Sequence, residues 1–447
     1  MGTMDKIDYS NEFNSNLNDL IELLKIKSVY DEKSASASMP FGKGVNDALL
    51  FMKELAIKDG FKVEEYDGYA ISLEIGSGPK RIDIASHLDV VAASDEDFNI
   101  RIDNNRLYGR GTSDMKVPMF LTYLSLKLLK DKYPNINSRI RIVLGSDEER
   151  TMDDMKYYIK KAGYPDFAFT PDGFFPMGIG EKGAIMWTIT SDYSGKILSL
   201  NGGSQCNIVS PYAECTIDDN NIEEVNEYIK NNNIDGSVKL INNQINIKVN
   251  GIAAHASIPF FGHNATIDLL KILKDLYKDE TCENLYNNYA NYFGKGFDSF
   301  VSDDPMDCLS VNLGILKIEN GKLFGQVDCR YPFSENATVL TERLKKVSKV
   351  NVSLDYNDDP TLCREDDPYV KAMLETYRSI TNDYSRPIVS GGVSYSKVFK
   401  HCVSFGPNTL DKPNLAHQAG EYVDLNDILI WFKIYYETIE KIILLGE

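Results

Sequence analysis

The chain has 447 residues, 43% hydrophobic and 26% charged, the balance of a soluble protein with two or three domains and sizeable cores. Its 66 acidic against 48 basic residues leave a formal charge of −18, which speaks against a nucleic-acid footprint or an anionic membrane partner. No apolar run reaches the roughly 18–20 residues that span a bilayer, and the seven cysteines, all from Cys206 onward, contain no C-x-x-C pair, so a reducing cytoplasm is expected rather than a disulfide framework.

The amino-terminal stretch lacks the basic-then-apolar order of a signal peptide. Leu20, Ile21, Leu23 and Leu24 recur instead at helical spacing. Three apolar runs then share one grammar. "KRIDIASHLDVV" ends in His87 and Asp89, "SRIRIVLGSDEE" in Asp147, Glu148 and Glu149, and "PDFAFTPDG" in Asp172. Between them stand two helix candidates, "DMKVPMFLTYLSLKLLKDKY" and "DDMKYYIKKAGYP", the second stopped by Gly163 and Pro165. Strands alternating with helices predict an α/β fold with a mostly parallel sheet flanked by helices. In such a sheet the ligand site lies beyond the carboxyl ends of the strands, where each of these polar clusters stands.

From about Trp187 the pattern changes to hairpin strands with polar turns, "LINNQINIKVNG" and "GKLFGQVDCRYPF", around helices such as "NATIDLLKILKDLY". After about Arg386 short strands and glycine turns return ("IVSGGVSYS", "CVSFGPN"), and the chain closes on "LNDILIWFKIYYETIEKIILL". The expected organisation is a split catalytic domain, residues 1–186 and 386–447, with a large inserted α+β lid domain at 187–385.

Each motif alone has an ordinary reading. His87 with Asp89 two residues on suits a metal-bound imidazole oriented by a carboxylate, but also a structural hydrogen bond. Asp114, after the glycine-rich turn of "LYGRGTSDMK", is a helix N-cap or a bridging carboxylate. The acids of "GSDEER" suit a surface turn, and "PDG" is a turn motif. His263 and His401 are expected to lack acid partners and carry no assigned chemistry. Taken together, His87, Asp114, Glu149, Asp172 and His417 give two imidazoles and three carboxylates, a donor set for zinc, with manganese or cobalt as substitutes. Three carboxylates on two divalent cations leave a charge of about +1, which favours hydroxide and draws the pKa of a bridging water towards 7. Glu148 then remains unligated, where a general base is needed.

In order along the chain, "HLDVV", "LYGRGTSDMK", "DEE", "PDGFFP…GEKG", "AHASIPFFGHNA", "DCRYP", "GGVSYS" and "AHQAGE" resemble the di-metal aminoacylase and carboxypeptidase superfamily, and within it the PepV-type bacterial dipeptidases. The resemblance covers nearly the whole chain. It implies that His87 and Asp172 hold one zinc, Glu149 and His417 the other, and that Asp114 bridges them, with a cis peptide between Asp114 and Met115. It also implies that Asp89 orients His87 and that Glu148 deprotonates the bridging water and passes the proton to the leaving amine. On the insert, His255 would stabilise the oxyanion, while Asn207 and Arg330 would grip the substrate, Arg330 as a fork for its carboxylate. The length of the lid implies a monomer with a closed pocket limited to small peptides. Val117, Ser86, Gly420 and the short loop after His87 depart from the usual pattern and bear on pocket shape. The expected protein is a cytoplasmic dipeptidase that hydrolyses short peptides through a hydroxide bridging two zinc ions, with no nucleic-acid or membrane partner. The alternatives are an N-acyl-amino-acid deacylase with the same core and a catalytically silent binding protein.

Overall fold

A computed structural model describes residues 7–446. The chain forms two compact units, one of Met1–Gly180, Leu362–Ile388 and Val393–Glu447, the other of Glu181–Thr361 and Val389–Gly392. Among the described residues no helix is long and apolar enough to cross a membrane.

The sheet of the first unit runs in the order Lys62–Tyr66, Ala70–Ile75, Arg139–Gly145, Arg81–His87, Phe167–Thr170, Cys402–Ser404. Its centre is parallel: Arg81–His87 lies between Arg139–Gly145 and Phe167–Thr170, which in turn pairs with Cys402–Ser404. Its flanks are antiparallel. All seven residues of Arg81–His87, the polar ones included, are buried, because a central parallel strand is covered on both faces. Helix Tyr9–Lys25 buries Leu20, Leu23 and Leu24 and is capped by Asp8, whose side chain accepts from the Asn11 amide. Helices Lys116–Lys132 and Pro368–Thr381 both pack on the closing helix Leu425–Leu445.

That placement moves a boundary. The sequence groups Pro368–Thr381 with the insert, yet its aromatic side chains belong to the first unit: Tyr377 stacks on Phe175 at 4.9 Å and Tyr369 on Phe167 at 4.8 Å. Residues 389–392, grouped with the last segment, belong instead to the second unit.

One layer of the first unit contains a buried charge network. Arg81 and Asp83 pair at 3.2 Å with side chains 8% and 0% exposed. Tyr158 donates to Asp83 at 2.8 Å, and Arg81 also donates to the carbonyl of Ala162 at 2.7 Å. Burial pushes the Asp83 carboxyl up to about 6, against the pull of Arg81. Removing one partner of such a pair leaves a buried uncompensated charge, whereas replacing both with apolar groups costs far less. Arg81→Met should therefore destabilise the protein by about 3–5 kcal/mol in urea unfolding, and adding Asp83→Leu should recover part of that loss.

The second unit is built on an antiparallel sheet in the order Gly236–Ile241, Gln244–Asn250, Tyr212–Ile217, Ile197–Gly202, Ser310–Glu319, Lys322–Tyr331, Gly183–Asp192, Asn351–Asp358. The hairpin strand expected in "LINNQINIKVNG" alternates, with Ile245, Ile247 and Val249 fully buried on one face. Helices Ala265–Tyr277, Glu280–Tyr289 and Ala337–Val347 contribute to the same core. Trp187 is buried there with its indole N–H donated to Thr341 Oγ1 at 2.8 Å. This is the expected α+β insert.

Candidate metal centre

The central strands of the first unit end side by side. His87 is the last residue of its strand and lies opposite Gly145, the last residue of the neighbouring one, so "HLD" and "SDEE" emerge together at one edge of the sheet. Asp172 follows the end of the next strand, Phe167–Thr170, by two residues. The helix after Asp114 starts only at Lys116, with Met115 in the cap position and no side-chain cap bond. The N-cap reading of Asp114 therefore does not hold. The Asp114–Met115 peptide is cis, as the resemblance implied.

Asp114 stands between two imidazoles. His87 Nε2 is 3.1 Å from Asp114 Oδ1 and 3.4 Å from Asp172 Oδ2. His417 Nε2 is 3.1 Å from Asp114 Oδ2 and 2.9 Å from Glu149 Oε2. The five residues thus form two triads that share one carboxylate, one oxygen facing each histidine. Within each triad the donor atoms lie within 4.8 Å of one another, close to what a tetrahedral ion with bonds of about 2.0–2.2 Å requires. The donors are nitrogen and oxygen without sulfur, which suits zinc, manganese or cobalt. The residues fit a pair of divalent cations.

The electrostatics show the same demand. Burial raises the Glu148 carboxyl well above its ordinary range, with Asp172, Asp114 and Glu149 adding to the effect and His87 opposing it. Asp172 and Glu149 are raised as well, first by burial and then by the Asp114 charge. Burial also works against Asp114, but hydrogen bonds from His417 and His87 overcome it and hold that carboxyl low. Asp114 and Glu149 push His417 up to about 10. Imidazoles and carboxylates thus face one another within the cluster, the arrangement from which deprotonated ligands would take up metal ions.

Asp89 has a different geometry from the one expected. It is the backbone carbonyl of Asp89 that receives His87 Nδ1–H, at 2.9 Å, while its carboxylate is 3.4 Å away. That contact still fixes the tautomer with Nε2 free towards Asp114. The carboxylate accepts the amides of Glu148 at 3.3 Å and Glu149 at 3.1 Å, so it seats the acid loop. A second carboxylate with that task was not evident in the sequence: Asp154, fully buried, accepts the amides of Ser146 at 2.5 Å and Asp147 at 2.8 Å, and the hydroxyl of Tyr395. Asp147 itself turns inward to Thr151 and the Asp153 amide. The three adjacent acids therefore divide: Asp147 is structural, Glu149 faces His417, and Glu148 belongs to neither triad.

In the second unit, the Ser257 amide donates to His255 Nδ1 at 3.2 Å and the Ser257 hydroxyl lies 2.7 Å from the same atom. Nδ1 is thus an acceptor and the ring proton sits on Nε2. Burial and the Arg330 charge lower the pKa of His255, disfavouring the charged ring. Asn207 is joined to this segment through its carbonyl, which takes the Ala256 amide at 2.9 Å. Arg330 is 7% exposed, and its fork is already engaged by Asp328, through Nε at 2.7 Å and Nη2 at 2.8 Å; Nη1 donates to the Gly391 carbonyl at 3.0 Å. The fork expected to meet a substrate carboxylate is occupied from within the unit.

His263 and His401 do have acid partners after all, Asp268 at 2.6 Å and Asp367 at 3.2 Å; neither histidine is part of the two triads. Val117 and Ser86 are fully buried. Gly420 has φ 73°, a left-handed conformation in which glycine sits most easily.

Residues 84–441 match the peptidase family M20/M25/M40. The chain is 29% identical over 448 residues to the putative dipeptidase YtjP of Bacillus subtilis, covering 95% of this chain and 96% of that one. It is also 29% identical over 449 residues to the Beta-Ala-Xaa dipeptidase of Lactobacillus delbrueckii subsp. lactis, covering 95% of each. Among solved structures, human carnosine dipeptidase 1 superimposes with a TM-score of 0.56 at 14% identity, over 98% of this chain and 97% of that one. Aminopeptidase PepT from Bacillus cereus gives a TM-score of 0.56 at 14% identity, over 98% and 99%. These two likenesses establish the fold.

Proposed function

The chain belongs to peptidase family M20/M25/M40 and is a metallopeptidase of the dipeptide-hydrolysing kind, and from that premise we propose a two-metal dipeptidase that releases amino acids from short peptides with a free amino terminus. In this reading His87, Asp172 and Asp114 hold one ion and Glu149, His417 and Asp114 the other. Zinc held by these residues, with manganese or cobalt as substitutes, would supply Lewis-acid polarisation of the scissile carbonyl and acidify the attacking water. Glu148 takes the proton of the attacking water on its carboxylate and delivers it to the leaving amine nitrogen. The Asp89 carbonyl keeps the proton of His87 on Nδ1, so that Nε2 stays available. His255 donates from Nε2 to the developing oxyanion, a role supported by the Ser257 contacts that leave its proton there. Asn207 and Arg330 are assigned to the substrate, Arg330 through the second N–H of Nη1, since Asp328 takes Nε and Nη2 and the Gly391 carbonyl takes the other Nη1 hydrogen. The seven free cysteines support a reducing, cytoplasmic setting, and the size of the inserted unit supports a monomer.

The observation that carries this reading is the shared carboxylate of Asp114 between two imidazoles, with Glu148 beside them and unligated. The test is amino-acid release from Ala-Leu and from N-acetyl-Ala-Leu, with zinc or manganese added. Cleavage of the free dipeptide and indifference to the acetylated one is the expected result. Preference for the acetylated compound would make the protein an N-acyl-amino-acid deacylase, and silence on both would favour a binding protein.

A further inference from the structure

Glu421 belongs to neither triad, yet its carboxylate ties the segments that carry two of their members. The residue is 1% exposed. Its Oε1 accepts the amide of Ser113 at 2.6 Å and that of Asp114 at 3.3 Å. Its Oε2 accepts the amide of Gly111 at 3.2 Å and Arg110 Nη1 at 2.7 Å. Its own carbonyl takes the amide of Gly109 at 2.9 Å, and the next residue, Tyr422, lies opposite Tyr108 in a short antiparallel ladder. Successive amides converging on one anion form a concave site of fixed positive dipoles, and hydrogen bonds to an ionised acceptor are about twice as strong as neutral ones. Four residues before Glu421 stands His417; at the far end of the clamped loop stands Asp114.

The two triads differ in what else holds them. His87 ends a central strand, is fully buried, and is locked through Nδ1 by a backbone carbonyl. His417 sits in irregular chain at φ 66° with its side chain 53% exposed. Between His417 and Glu421 the Gly420 amide donates to Asp97 Oδ1 at 2.9 Å, while Gln418 makes only local bonds, its amide to the Leu415 carbonyl at 3.1 Å and its side chain to the Asn414 carbonyl at 2.7 Å. The position of His417 relative to Asp114 thus depends on an anchor a few residues away, whereas that of His87 is built into the sheet.

We infer that Glu421 is a positioning residue for the second metal position: by fastening the Gly111–Asp114 loop to the His417 segment, it sets the spacing of Asp114 Oδ2 and His417 Nε2. This rests on the two-metal reading above. Glu421→Gln keeps the shape of the side chain but turns an acceptor oxygen into an NH2 group that must face amide or guanidinium donors. The full-length protein, prepared metal-free, would be titrated with Zn2+ against a competing chelator, with bound zinc counted directly.

The expected result is a first equivalent that binds as in the wild type and a second weakened by about 10–100-fold, the usual effect of losing a group that orients a ligand. Excess zinc should then restore kcat on Ala-Leu with KM unchanged, which a general loss of folding would not do. Asp424→Asn, three residues further on and paired with Arg106 at 3.2 Å near the surface, should leave both affinities alone. Equal weakening of both equivalents would overturn the inference. So would unchanged affinities with only a lower melting temperature, or the same selective loss in Asp424→Asn. Fewer than two equivalents in the wild type would overturn the two-metal reading itself, a result distinct from a normal wild type with an unaltered variant.

Discussion

Glu148→Ala should bind zinc as the wild type does and lose about 100- to 10,000-fold in kcat on Ala-Leu, the range that a positioned general base contributes. Its neighbour in sequence, Glu149, faces His417 at 2.9 Å, and Asp89 holds the amides of both glutamates, so the loop places the two side chains for different tasks. Truncating Glu148 removes no member of either triad and no support of the loop, because the contacts that seat the loop are made by backbone amides. Burial and three neighbouring carboxylates raise its carboxyl, and bound cations would draw it back down, towards a value at which it can both accept and give a proton. Metal content measured beside turnover separates the roles. Loss of zinc with activity would make Glu148 a ligand, and normal turnover would place the base elsewhere.

Much of the site was legible because the chemistry stands where the strand pattern stops. His87, the acids of "SDEE" and Asp172 each end an apolar run, and a parallel sheet brings such ends together. What the sequence did not disclose is mostly made of backbone. Asp89 works through its carbonyl and through amides of the acid loop. Asp154 and Glu421 act on the amides of Ser146 and Asp147 and of Gly111, Ser113 and Asp114. No side-chain pattern announces an amide that needs an acceptor. Tyr395 reaches Asp154 across 241 positions, and His401 reaches Asp367 only once the chain has folded.

Helix Pro368–Thr381 was assigned to the insert because an amphipathic face does not name the core it will enter; the stacking of Tyr369 and Tyr377 decided it. The sequence also carries a hairpin mark near its start. "VEEYDGYAISLEI" turns at Asp67 and Gly68, both at positive φ, and Asp-Gly between strand-like runs is a hairpin mark. That hairpin is the antiparallel flank of the sheet.

The second large effect concerns the metal itself. Metal-free protein keeps its imidazoles and carboxylates paired with one another, so that neither a polarised carbonyl nor an acidified water is available, contributions worth several orders of magnitude at such centres. The most direct measurement is hydrolysis of Ala-Leu by chelator-treated wild-type protein as zinc is returned in known amounts. Turnover should be absent at the start and rise until it levels off at two equivalents per chain. Turnover that persists in the metal-free protein, or two bound equivalents that restore none, would overturn the two-metal reading.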